Sequence, residues 1–350
     1  MIERIIEKIA SVDVRYAEVA RGRWNDIAKP LHGLGIFEDA VCRLAAVQKT
    51  ERPHIARRAL AVFCADNGIV CEGVTQTDSS VTAIVAENLC TGATSVCKMA
   101  RVAKCDVFPV DIGMNRAVLH EKMTDFHVAR GTQDFLYEDA MTREQTELAV
   151  IRGAEFAGTL AAQGYNLLAA GEMGIGNTTT SSAVASVLLG VPAEDVTGAG
   201  AGLSEAGIAH KIAVIKEGIA RRKPNPEDPI DVLSKVGGLD IAGMAGFMLG
   251  AAANDVAVVL DGVISQVAAL IGVRLCPAVR GYLLGSHVGS EKASRLLLDA
   301  LELDAPVHAG MHVGEGTGAM TLLPLLDMAI SVYDEMATFD DIRVTAYREL

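Results

Sequence analysis

The sequence predicts an α/β fold, a mostly parallel six-stranded sheet with helices on both faces, on three observations. Half of the 350 residues are apolar, only 4% are aromatic and 34 are glycine, a mixture suited to an aliphatic core with many tight turns. From residue 59 onward short apolar runs alternate with longer helical segments, the signature of βαβ units. A polar or ionisable residue also stands at or just past the end of each run, where open parallel sheets hold their ligands.

Taken in order, residues 1 to about 58 show helical spacing, as in Ile2, Ile5, Ile6 and Ile9, interrupted by the turn-rich Lys29-Pro30-Leu31-His32-Gly33-Leu34-Gly35. The six expected strands are Ala59 to Ala65, Cys105 to Val110, Tyr165 to Ala170, Asp255 to Leu260, Pro277 to Leu284 and Ala305 to Val313. Asp66, Asp111, Glu172, Asp261, the Ser286-His287 pair and Glu315 follow them in turn and are expected to gather around one ligand. Singly, each is an ordinary turn or cap residue. The apolar run Ile241 to Ala253 is too short to span a bilayer and reads as a buried helix. Met320 to Leu350 is helical and then charged; it cannot complete another βα unit and is expected to pack on the N-terminal helices. The chain therefore divides into an α/β domain over 59–318 and a small helical lobe built from 1–58 and 319–350.

A formal charge of -13 leaves no broad basic face for a phosphate backbone, so nucleic acid is not an expected partner. A helix start and one lysine can still hold a small anion. Seven cysteines without a C-x-x-C pair read as buried, reduced thiols, so neither a disulfide framework nor a zinc site is expected. With no signal-peptide core at the N-terminus and no membrane span, a cytoplasmic location is expected.

Two glycine-rich stretches carry the chemistry. In Gly310 to Ala319, Glu315 stands between glycines at the mouth of the sheet and is a candidate general base. The plain alternative is a turn with Glu315 in water. Gly171-Glu172-Met173-Gly174-Ile175-Gly176-Asn177-Thr178-Thr179 follows a strand and opens a helix, so amide groups, the helix dipole and hydroxyls form an anion cradle. The plain alternative is a well-capped helix. Gly198 to Gly202 precedes another helix, on which Lys211 reads by spacing alone as a solvated residue. Phe339-Asp340-Asp341-Ile342-Arg343-Val344-Thr345 has the paired acids of a phosphoribosyl pyrophosphate loop but lacks the preceding strand, and is assigned to solvent.

Gly171 to Gly174 with Asn177-Thr178-Thr179, Asp231 to Gly238, Leu260-Asp261-Gly262, Ser286-His287 with Glu291-Lys292, and Gly314-Glu315-Gly316 closely resemble the nicotinate-nucleotide:dimethylbenzimidazole phosphoribosyltransferase family. The resemblance extends from Lys29-Pro30 and Cys64 to Gly68 to the C-terminal helices. It implies a Rossmann-like sheet with a small helical lobe from both termini, a homodimer, and a step in cobalamin synthesis. Phosphoribose would pass from nicotinate mononucleotide to a lower-ligand base, giving an α-riboside phosphate and nicotinate, with no cofactor or metal. By resemblance Glu315 is the catalytic base and Glu172, Gly174 and Lys211 hold the nucleotide; the phosphate is expected on the Gly176, Asn177, Thr178 and Thr179 helix start, with Asp261 also assigned to the nucleotide site. The base pocket is assigned to Thr77, Val85, Gly289, Met311 and Val313. Better-known members carry serine where Thr77 stands, glutamine where Val85 stands and a further serine where Gly289 stands, which leaves purines and phenols open beside benzimidazoles. Two rivals are a non-catalytic nucleotide or base binder and a nicotinamide-dependent oxidoreductase. Asp66-Asn67-Gly68 after the first strand, in place of a G-x-G-x-x-G turn, speaks against the second.

Overall fold

The structure is a computed structural model that describes residues 1–348. Three helices come first: α1 (Ile2–Ile6), α2 (Val14–Asp26) and α3 (Ile36–Gln48). Asp13 starts α2 by accepting from the Arg15 N–H. There follow β1 (Arg58–Ala65), α4 (Ser80–Thr91), α5 (Ser95–Val102), β2 (Cys105–Gly113), β3 (Thr124–Asp125), α6 (Arg143–Ala162) and β4 (Leu167–Met173). The chain continues through α7 (Asn177–Leu189), α8 (Ala193–Val196), α9 (Glu205–Arg222), α10 (Pro229–Val236), α11 (Leu239–Ala252) and β5 (Ala257–Leu260). It ends with α12 (Val263–Leu275), β6 (Leu283–Gly285), α13 (Ala293–Leu301) and α14 (Thr317–Glu335).

The strands form one six-stranded parallel sheet in the order β3-β2-β1-β4-β5-β6. Chain direction across the sheet reverses between β1 and β4, and ligands of open α/β sheets bind in the crevice beyond such a point. All eight residues of β1 are buried, as a strand covered on both faces requires.

Two of the expected strands differ. Pro277–Tyr282 is a 3-10 turn, and only the three residues of β6 after it pair with β5. Of Ala305 to Val313 only Val307 touches the sheet, through a single bridge to His287. Pro306 cannot donate to a ladder, and Gly310 turns left-handed at φ 63°. The sixth strand is instead the two-residue β3, too short to leave a pattern. Cys71 also departs from the expected buried thiols: it is exposed and donates to Asp134 Oδ2 at 3.2 Å.

Ile241 to Ala252 lies in a buried helix as expected, all fourteen residues of α11 being buried, and Ala253 caps it. α11 lies against α6, which opens with a capping box between Thr142 and Gln145. Their backbones approach so closely that a Cβ on Gly153 would fall on Gly243 O and one on Gly246 on Val150 O. A second, smaller core joins Ala20, Trp24, Ile27, Val41, Cys42 and Ala45 to Ala329 and Tyr333 of α14. The Trp24 and Tyr333 rings lie 4.9 Å apart, and Ile27 bridges antiparallel to Thr338. Lys29 Nζ donates to the buried Glu38 carboxylate at 2.6 Å, with Arg21 3.6 Å away on its other oxygen. Among the described residues no helix is long and apolar enough to cross a membrane.

Candidate active site

A cavity of about 310 Å3 opens beyond the carboxyl ends of β4, β5 and β6. Its walls come from the β4–α7 turn, the residues after β5 and β6, the Gly200 loop, Val85 of α4 and the segment before α14. A smaller pocket of about 80 Å3 adjoins it across the start of α7, between the 74–77 loop and Lys211.

Glu315 lies on the wall of the larger cavity at the start of α14. Gly314, Glu315 and Gly316 take φ 78°, 60° and 95°, three left-handed residues in succession. Only the glycines adopt this without strain, so Glu315 sits in a conformation that its surroundings must impose. Asp261, just past β5, imposes it. Its Oδ2 accepts from Gly316 N at 3.0 Å and its Oδ1 from Gly318 N at 2.6 Å. Glu315 is half-buried, and its Oε2 has no hydrogen-bond partner among the described residues. Burial raises its pKa above the ordinary glutamate value, opposed by the Val96 amide and Thr94 at the start of α5.

Beside the Gly314–Glu315 turn, Glu172, next to last in β4, is buried against Asn177, which donates to it and also to Asp240 Oδ2 at 2.9 Å. Burial, with the Asp240 charge beside it, pushes Glu172 up to about 8, while burial takes Asp240 to about 6. Lys211 of α9 is fully buried and donates to Thr178 Oγ1 at 2.8 Å; burial lowers it to about 8. Glu291 Oε1 accepts from Gly200 N at 3.0 Å and fastens the glycine loop beside it. Ser286 Oγ and His287 Nδ1 are 3.0 Å apart, and burial lowers the His287 pKa against the pull of Asp261.

The expected site residues thus sort themselves. Glu315, Glu172, Gly174, Asn177, Thr178, Asp261, Val85, Gly289, Met311 and Val313 line the larger cavity. Gly176, Lys211 and Thr77 line the smaller pocket, so Thr77 stands apart from the other residues assigned to the base. Thr179 lines neither, its side chain being wholly buried behind the helix start. Asp261 faces the cavity, yet both its oxygens are already bound to the α14 turn. Asn177 likewise spends its amide on two carboxylates, which leaves Thr178 and Lys211 as the cradle's side-chain donors. Of the six strand-end groups, Asp66 and Asp111 stay out of the cavity. Asp66 accepts from Asn115 N at 2.7 Å, and Asp111 from Met114 N at 2.9 Å with His127 beside it at 3.2 Å.

Sequence reasoning missed Asp240, Thr94 and the tethering role of Glu291. Asp240 had one visible signal, an acid opening an otherwise apolar helix. Thr94 had none, because its partner is remote in sequence, and Glu291, though part of a family motif, gave no sign of its remote partner Gly200.

The phosphoribosyltransferase family model matches residues 9–344. The chain is 40% identical over 349 residues to the nicotinate-nucleotide–dimethylbenzimidazole phosphoribosyltransferase of Clostridium acetobutylicum, covering 100% of this chain and 99% of that one. It is 40% identical over 346 residues to the enzyme of that name from Roseiflexus sp., covering 99% of this chain and 98% of the relative. The crystal structure of CobT from Thermus thermophilus superposes with a TM-score of 0.90 at 35% identity, over 95% of this chain and 99% of that one. Sheet order, cavity and full-length likeness agree: the chain belongs to the nicotinate-nucleotide–dimethylbenzimidazole phosphoribosyltransferase family.

Proposed function

We propose that this phosphoribosyltransferase moves phosphoribose from nicotinate mononucleotide to dimethylbenzimidazole or a related lower-ligand base, within cobalamin synthesis. The observation that carries the site assignment is Glu315, a half-buried carboxylate held in a left-handed turn on the wall of the cavity that Asn177 and Thr178 of the α7 start also line. The ring nitrogen of the base attacks C1′ of the ribose as the C1′–pyridinium bond breaks. The bonding pair returns to the pyridine nitrogen and cancels its charge, so the leaving group needs no acid. Glu315 takes the azole proton, and attack from the opposite face gives the α-riboside. One carboxylate suffices, where glycoside hydrolysis uses two. Thr178 and Lys211 at the helix start would hold the phosphate. Val85, Met311 and Val313 give the base apolar walls, with Gly289 leaving space beside them.

The test is incubation of the purified protein with nicotinate mononucleotide and a panel of benzimidazoles, adenine and phenols, resolved by mass spectrometry. An α-riboside phosphate with release of nicotinate is expected, and the preferred base reports what Val85 and Gly289 admit. No product with any base, with the nucleotide still bound, would overturn catalysis in favour of a binding role. We further propose a cytoplasmic homodimer whose small lobe, 1–58 with 319–350, folds as a unit beside the α/β domain. Sedimentation at twice 36.8 kDa is the expected mass.

A further inference from the structure

The Asn177 side-chain amide has two hydrogens, and both are committed to carboxylates: Glu172 Oε2 and Asp240 Oδ2. All three side chains are buried, and among the described residues neither carboxylate has a salt-bridge partner. The nearby buried cation, Lys211, is bonded to Thr178 instead. Two buried carboxylates on one neutral amide cannot both remain charged without a large desolvation cost. Asp240 is the better placed to keep its charge: it lies in the first turn of α11, at the positive end of the helix, and its Oδ1 also accepts from Ile241 N at 3.0 Å. Among the described residues Glu172 has only the one donor, on Oε2. Its Oε1 faces the cavity, so close to Gly314 that a Cβ there would lie 2.6 Å away.

Apart from the Asn177 amide, which favours the anion, the groups packed around Glu172 are acids or a thiol that do nothing to stabilise its charge. They are Asp240 from α11, Asp261 past β5 and Glu315 at the α14 start, with Cys64 of β1 behind it. The cavity wall also carries Glu291. A nicotinate nucleotide brings a phosphate and a ring carboxylate into this acidic surround. A neutral Glu172 removes one repelling charge and offers an O–H.

We propose that Asp240, through the Asn177 amide it shares with Glu172, is a positioning residue that keeps Glu172 protonated as a hydrogen-bond donor to an oxygen of the nucleotide. The choice of ligand rests on the transferase reading above; the protonation does not. As pH rises past about 8, Glu172 turns from donor to repelling anion. Neutralising Asp240 removes the like charge and lets Glu172 ionise at lower pH.

The experiment measures kcat/KM for nicotinate mononucleotide from pH 6 to 9.5 in the wild type, Asp240→Asn and Glu172→Gln. The wild-type value is expected to fall above about pH 8. In Asp240→Asn the fall begins about one pH unit lower, and in Glu172→Gln it becomes a shallower, single fall, because Lys211, also near 8, still loses its charge there. An Asp240→Asn limb that coincides with the wild type, or a loss of rate uniform in pH, overturns the proposal. Melting temperature over the same range gives a readout free of turnover. A carboxyl whose pKa is raised by folding lends stability that is full at low pH and lost as pH rises through the folded value. Both variants should therefore flatten the decline seen in the wild type, and an unchanged decline in both overturns the assignment. Flattened melting profiles without transfer to any base would support the protonation and overturn the transferase reading alone.

Discussion

Glu315 and Asp261 divide one task between them. The carboxylate that takes the proton occupies a left-handed turn, and the carboxylate behind it holds that turn by two amide hydrogen bonds. Glu315→Gln is expected to lower kcat by about 10² to 10⁴ with the melting temperature little changed, because only the proton acceptor is lost. Near-normal turnover would remove Glu315 from the mechanism. Asp261→Asn exchanges one acceptor oxygen for an amide that cannot accept from Gly316 or Gly318, so the turn loosens. A fall in kcat of about tenfold with an unchanged KM for the nucleotide is expected. A rise in KM with kcat preserved would instead restore the direct nucleotide contact that the sequence suggested. At this scale the sequence was legible where glycines flank an acid, as at Glu315. Spacing alone read Lys211 as solvated, since its burial follows from how α9 packs and only the resemblance placed it at the nucleotide, and it was silent on Asp240, whose partner Asn177 lies 63 residues away.

Elements were legible where pattern and length agree. β1, β2, β4 and β5 are apolar runs covered on both faces, and the helices between them carry clear periods. Pro277 to Leu284 and Ala305 to Val313 also hold apolar residues, but the first is mostly a 3-10 turn and the second a loop that is largely exposed from 308 to 313. Periodicity cannot separate those outcomes in a short run. Contact between α6 and α11 was legible only as a glycine count, since close backbone approach leaves no apolar signature. Gly246→Ala would put a methyl onto Val150 O and force the helices apart. A loss of about 1–3 kcal/mol is expected from denaturant unfolding. Gly22→Ala, on the exposed face of α2 with nothing within 4 Å of the new methyl, should instead gain about 0.5–1 kcal/mol. Equal effects at the two positions would mean that helix propensity alone decides, and that the close approach does not matter.

Across the whole molecule, acids lie at the ligand edge of the sheet and the small second core lies at the opposite extreme of the chain's connectivity. Lys29 and Glu38 form a buried pair in that core, with Lys29 Nζ also 5.1 Å from the centre of the Trp24 ring. Lys29→Met leaves Glu38 with the Leu34 amide and the more distant Arg21 and should cost about 3 kcal/mol by chemical denaturation; adding Glu38→Leu should recover most of that loss. Failure of the double variant to recover would show that Lys29 acts through the Trp24 face rather than through charge.

The pairing of Trp24 with Tyr333 has a consequence for synthesis. The ribosome releases the N-terminal helices first, yet the tyrosine that covers their tryptophan is translated on the order of tens of seconds later. Through that interval the nascent chain carries an uncovered tryptophan face.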